Sequence, residues 1–131
     1  MKRILKSINF FGISIFMATQ KTNTCPQRLR AASDALDAIN GKWKIPILIA
    51  LSFGNRRFRE LTREIPGISP KMLSKELKEL ENNTLIERSV YDTTPVTVEY
   101  SLTPLGKSLD SLLEELYTWG DMFRKKIIGK A

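Results

Sequence analysis

The sequence predicts a mainly α fold with one small β-hairpin, and three local patterns carry that prediction. Leucines recur at helical spacing behind Ser69-Pro70, an alternation of period two runs from Val96 to Leu102, and a second cap-plus-proline pair, Thr103-Pro104, opens another helix. At 131 residues the chain has the size of one ordinary domain, large enough to bury a core and too short for two folds with a linker.

The elements follow in order. Leu29, Ala32, Leu36 and Ile39 recur at helical spacing and stop at Asn40-Gly41, giving a first helix. Trp43, Ile47, Leu48 and Leu51 mark a second, with Pro46 in its first turn, where a missing N–H costs little; it ends near Gly54. The basic segment Arg56-Arg57-Phe58 leads into a short third helix from Arg59 to Ile65, which Pro66-Gly67 breaks. Ser69 is then an N-cap with Pro70 at the first helical position, and Leu73, Leu77 and Leu80 follow, predicting a helix to Glu81.

Beyond it, Val96, Val98, Tyr100 and Leu102 alternate with Thr97, Glu99 and Ser101, the pattern of a strand. Leu85 to Tyr91 is its expected partner, and Asp92-Thr93-Thr94-Pro95 supplies the turn. A long C-terminal helix is expected from Thr103-Pro104 onward. Two helices, a short helix, a capped helix and a hairpin make the order of a winged helix-turn-helix, with extra N- and C-terminal helices for dimerisation.

Residues 1–24 are expected to form an N-terminal arm, disordered or preceding the native start, and residues 25–131 the winged helix-turn-helix with its C-terminal helix. Lys2, Arg3 and Lys6 before the apolar run Ile8 to Ala18 resemble a signal peptide poorly: Asn9, Gly12 and Ser14 interrupt the run, and no small-residue cleavage site follows cleanly. The run is too short to span a bilayer as a helix, so no membrane partner is expected, and Met17 is a candidate start.

The formal charge of +7 and a pI near 9.7 suggest a polyanionic partner. The excess is concentrated between Lys42 and Lys78, with a local net charge of +6, whereas acids prevail from Leu105 to Phe123. One cysteine, Cys25, and no histidine exclude an internal disulfide and leave a transition metal without a ligand set. A reducing, cytoplasmic setting is expected, with no metal and no cofactor. No Gly-rich phosphate loop and no Gly-x-Ser-x-Gly elbow is present, so the chain reads as a binding protein rather than an enzyme.

On the capped helix Lys71, Lys75 and Lys78 share one face with Ser74, opposite Leu73, Leu77 and Leu80. In a helix-turn-helix this helix enters the major groove N-terminus first, so Ser69, Lys71, Met72, Ser74 and Lys75 are candidates for base edges and Lys78 for phosphate. Three lysines can equally serve only to solvate a polar face. Arg56, Arg57 and Arg59, at the start of the preceding helix, favour double-stranded DNA, because two adjacent elements are then basic together. Arg88 and the hairpin tip with Thr97 form a candidate wing, or a purely structural hairpin. The rival reading is a winged-helix protein–protein module without direct DNA binding.

The chain from Cys25 to Gly120 resembles the HxlR-type family of bacterial winged-helix regulators. The resemblance rests on Cys25-Pro26, Gly41-Lys42-Trp43-Lys44, Arg57-Phe58-Arg59-Glu60-Leu61, Ile65-Pro66-Gly67-Ile68-Ser69, Lys71-Met72-Leu73, Leu77-Lys78-Glu79-Leu80-Glu81, Val98-Glu99-Tyr100-Ser101-Leu102-Thr103-Pro104-Leu105-Gly106 and Trp119-Gly120, in family order. It implies a homodimer with paired recognition helices and, as in several members, a thiol near the N-terminus that senses electrophiles, quinones or oxidants, here Cys25. Two residues depart from the pattern. Thr84 stands where many members carry glycine, which shifts any left-handed cap to Asn82 or Asn83, and Thr97 stands where many carry a basic wing residue.

Leu105, Leu109, Leu112, Leu116, Trp119 and Phe123 form a stripe at 4-3-4-3-4 spacing, suited to an internal core or to a second chain. With the resemblance, the stripe is expected at a homodimer interface with Leu29, Ala32, Leu36 and Ile39. A two-fold dimer predicts an inverted-repeat operator, with repression as the default mode. A lone cysteine is ordinarily an inert small hydrophobe; Cys25 becomes a sensor if a helix N-terminus and Arg28 or Arg30 favour its thiolate.

Overall fold

A computed structural model describes residues 24–129, which form two units, the helical segment up to Ala38 and a body from Ile39 onward. The expected N-terminal arm and the candidate start at Met17 lie outside the described residues, apart from Thr24. The first segment is helix α1 (Cys25–Ile39). Its start is a reciprocal cap: the Gln27 backbone N–H donates to Thr24 Oγ1 at 3.4 Å, while the Thr24 N–H donates to Gln27 Oε1 at 3.0 Å.

The body runs α2 (Lys44–Ser52), β1 (Arg56–Arg57), α3 (Phe58–Glu64), α4 (Pro70–Asn82), β2 (Ile86–Tyr91), β3 (Thr97–Leu102), α5 (Pro104–Lys107) and α6 (Asp110–Ile127). The described residues are thus mainly helical, with a three-stranded antiparallel sheet in the order β1-β3-β2. The basic segment expected as a lead into the third helix is itself a strand, pairing Arg56 with Tyr100 and Arg57 with Glu99. The hairpin register sets Ile86 opposite Leu102, Arg88 opposite Tyr100 and Tyr91 opposite Thr97.

The core is made by the periodic residues: Ile47, Leu48 and Leu51 of α2, Leu61 of α3, Leu73, Leu77 and Leu80 of α4, and Ile86 of β2 are buried. Each fully buried leucine contributes about 2 kcal/mol of apolar transfer, which fixes α4 on α2 and the sheet. Between α3 and α4, Gly67 turns the chain with φ +85°, and a Cβ there would stand 3.7 Å from the Trp43 ring. The tight turn is thereby seated on Trp43, and the buried Ile65 and Ile68 anchor its two sides.

Helix α4 begins as predicted, with Ser69 Oγ accepting from the Met72 N–H at 3.1 Å and Pro70 at the first position. Its other end corrects an expectation. Neither Asn82 nor Asn83 turns left-handed; Thr84 does, with φ +58°. The Thr84 N–H donates to Glu81 O at 2.9 Å and the Leu85 N–H to Leu80 O at 3.0 Å, the two bonds of a Schellman cap, which requires the left-handed residue at Thr84 whatever its side chain. A β-branched residue there is strained by roughly 1–2 kcal/mol. Thr84→Gly is therefore expected to raise stability by about 1 kcal/mol, net of the added unfolded-state entropy, in urea unfolding. A loss of stability would contradict the strain.

The long helix expected from Thr103-Pro104 is broken. Thr103 caps α5, its Oγ1 accepting from the Gly106 N–H at 3.0 Å, but the chain tightens at once. The Leu109 N–H closes on Gly106 O three residues back, and Ser108 Oγ donates to Leu105 O before α6 restarts. Leu105 therefore lies on a different helix from Leu112. At this break Gly106 sits under the carbonyl of Leu85, a residue distant in sequence, with no room there for a Cβ.

Candidate nucleic-acid interface

Helix α4 presents the polar face that its spacing predicts. Lys71, Ser74, Lys75 and Lys78 are exposed, Met72 is half-buried, and Leu73, Leu77 and Leu80 face inward. The Ser69 hydroxyl is committed to its cap, which leaves the residue a positioning part at the helix tip.

The structure sorts the basic residues by whether they are already paired. Arg56 donates its Nε to both Glu64 oxygens at 2.9 Å, so the arginine is tied to α3. Lys75 Nζ lies 3.0 Å from Glu79 Oε2 and 3.8 Å from Glu76 Oε2. Lys44, which contributed to the local positive count, is 4% exposed and bonds Glu76 Oε1 and Glu79 Oε1, both at 2.6 Å. It serves the fold and presents no charge to a ligand. Arg57, Arg59, Lys71, Lys78 and Arg88 are exposed and have no ion pair among the described residues. Arg57 and Arg59 flank the start of α3, where the Arg57 N–H donates to Glu60 Oε1 at 2.7 Å.

Arg88 is not at the hairpin tip. It lies in the middle of β2 opposite Tyr100, and with Ser74, Leu77, Lys78, Glu81 and Tyr100 it lines a groove of about 290 Å³ between α4 and the sheet. Lys78 and Arg88, neither in an ion pair among the described residues, thus border one cleft. The tip itself is uncharged apart from Asp92: Thr93 Oγ1 lies 2.9 Å from Thr97 Oγ1 and donates to Pro95 O at 2.7 Å, so Thr97 is occupied within the turn.

The Lys44 network was missed from sequence. Its partners lie 32 and 35 residues away, beyond any local pattern, but one signal was present: helical spacing puts Glu76 on the leucine side of α4, where a carboxylate needs a partner. Burial works against the charge of Lys44, yet the hydrogen bonds it donates to Glu76 and Glu79, and their negative charges, outweigh it, holding the ammonium above its usual value. The same bond from Lys44, with one from Lys75, holds the Glu79 carboxyl below its usual value.

Away from α4, Cys25 is exposed at the first position of α1. Along that helix Leu29, Ala32 and Leu36 are exposed and Ile39 is buried. On α6, Leu112, Leu116, Trp119 and Phe123 are all exposed, and Trp119 and Phe123 stack with centroids 5.1 Å apart. Leu109 is half-buried at the helix start and Leu105 is exposed on α5. The residue that α6 buries is Leu113, outside the predicted stripe, and among the described residues Leu112, Leu116, Trp119 and Phe123 do not enter the core. Among the described residues no helix is long and apolar enough to cross a membrane.

The chain is 46% identical over 89 residues to an HTH-type transcriptional regulator of Methanothermobacter thermautotrophicus, a match covering 68% of each chain. It is 40% identical over 99 residues to the HTH-type transcriptional regulator YodB of Bacillus subtilis, covering 76% of this chain and 85% of YodB. YodB has been solved reduced and after diamide treatment, with TM-scores of 0.66 and 0.63 to this chain. The redox regulator HypR in its reduced form matches with a TM-score of 0.72 and 35% identity, over 76% of this chain and 99% of HypR. The HxlR-like helix-turn-helix family matches residues 38–127, more than half of the sequence, and the chain belongs to that family.

Proposed function

We propose that the protein is a sequence-specific regulator of transcription that binds double-stranded DNA as a homodimer on an inverted-repeat operator, and represses until an oxidant or electrophile acts at Cys25. One observation carries the DNA-binding part: Lys78 of α4 and Arg88 of β2 line one groove with Ser74 and have no ion pair among the described residues, and Lys71 is exposed on the same helix. Cations without internal partners replace condensed counterions on phosphate, and the N-terminal half of α4 is left to read base edges. This charge placement also disfavours the protein–protein module, whose corresponding helix would be neutral or apolar.

The homodimer is supported by the outward stripe on α6. Four large apolar side chains at i, i+4, i+7 and i+11 hold water off poorly when exposed, and they suit a second copy of the same helix. Two-fold symmetry then sets half-sites about 34 Å apart. Cleavage protection over two such half-sites is the expected footprint; protection of a single half-site would contradict the dimer.

For Cys25, the supporting facts are its exposure and the redox descriptions of YodB and HypR. Diamide or a quinone is expected to release the operator from the native protein and to leave Cys25→Ser bound. Equal release of both would sink the sensor role.

A further inference from the structure

The recognition face of α4 carries a carboxylate that DNA binding by itself does not call for. Glu79 lies one turn beyond Lys75, its side chain 42% exposed, and joins two lysines of unlike surroundings. One oxygen takes the buried Lys44 at 2.6 Å, and the other takes Lys75 at 3.0 Å. Lys44 is itself held by Glu76, so Glu79 is fixed from behind and cannot swing away with Lys75. Lys71 and Lys78, on the same face, have no such partner among the described residues.

We propose that Glu79 is a specificity-determining residue, which neutralises Lys75 in place so that this lysine adds little to indiscriminate phosphate attraction and is released only to an acceptor that DNA positions close to it. The inference rests on α4 being the DNA-reading helix. Specificity is a difference between two affinities, and it grows when the wrong complex is weakened more than the right one. A half-exposed i, i+4 ion pair is a weak clamp. A guanine edge offering O6 and N7 at bonding distance replaces it, whereas a mobile phosphate in a non-specific encounter does not repay the exchange. Glu79 is ionised at neutral pH, since both lysines hold its carboxyl below the usual range.

The test compares two duplexes of equal length, one selected from a random pool by the native protein and its shuffled counterpart, titrated by fluorescence anisotropy over a salt series. Lys75→Gln is expected to weaken the selected duplex about tenfold and the shuffled duplex less than twofold. Glu79→Gln is expected to tighten the shuffled duplex several-fold and to steepen its log–log salt slope by about one, and to do neither in a Lys75→Gln background. Lys44 keeps Glu76 in the Glu79 variant, and a thermal melt confirms that it is folded. If Lys75→Gln weakens both duplexes equally, or if Glu79→Gln leaves the shuffled slope unchanged, the inference is overturned while DNA binding stands. If the native protein binds neither duplex, both readings fall.

Discussion

Lys44→Met is expected to destabilise the protein by about 4 kcal/mol, because it leaves Glu76 buried with no cation among the described residues closer than Lys75 at 3.8 Å. The cost comes from the stranded carboxylate, which is 6% exposed, rather than from the value of the pair itself. Removing both members should therefore recover most of the loss: Lys44→Met with Glu76→Leu is expected to unfold in urea close to the native midpoint. A single variant that loses under 1 kcal/mol would show that the pair does not hold α4 to α2.

The same network fixes a pH signature. Glu79 titrates below its ordinary value of 4.5 when folded, so the stability it contributes is full above that value and drains as pH falls through the folded one. Lys44 titrates above its ordinary 10.5, so its contribution is full below 10.5 and is lost as pH rises through the folded value. The gap in stability between the native protein and Lys44→Met is thus expected to be widest between these limits and to narrow on both sides. A gap that does not change with pH would mean that the carboxylates take no charge from Lys44.

The second large effect is expected at Gly106. A Cβ there would clash with the Leu85 carbonyl oxygen and lie 3.2 Å from Leu102 Cδ2, and the nearest neighbour is backbone, which has little room to yield. That carbonyl also accepts the Thr103 N–H at 3.1 Å, while Thr103 Oγ1 donates to Thr84 O, so any shift opens the joint between the end of α4, the sheet and α5. Gly106→Ala is expected to cost about 3 kcal/mol and lower the melting temperature by more than 5 °C, at the upper end of overpacking effects. Gly120→Ala is the control, since a Cβ there meets nothing within 4 Å among the described residues. Equal, small effects at the two glycines would refute the close approach.

Local chemistry made most of the fold legible. Ser69-Pro70 and its leucines marked α4 within one residue, and the alternation from Val96 marked β3. What escaped was non-local. Two arginines are too short a run to announce a strand, and β1 exists only because Tyr100 and Glu99 are there to pair with it. Nothing near Thr103-Pro104 signals the break after Lys107, where Gly106 packs under the carbonyl of the sequence-distant Leu85. The candidate site was legible as residue types and not as charges. Spacing placed Lys71, Lys75 and Lys78 on one face, but only three-dimensional pairing separates Lys75 and Arg56, which have partners, from Lys78 and Arg88, which have none among the described residues. The stripe on α6 was ambiguous in sequence because a core and an interface demand the same spacing; burial of Leu113 rather than Leu112 or Leu116 resolves which side faces inward.

The proposed function depends on Lys78 of α4 and Arg88 of β2 meeting the DNA backbone. It is tested by measuring affinity for a duplex selected by the native protein as salt is raised. The native protein is expected to bind with a steeply negative log–log slope, and Lys78→Ala and Arg88→Ala each to reduce that slope by about one while weakening all sequences alike. Binding that does not depend on salt, or slopes unchanged by either substitution, would contradict it.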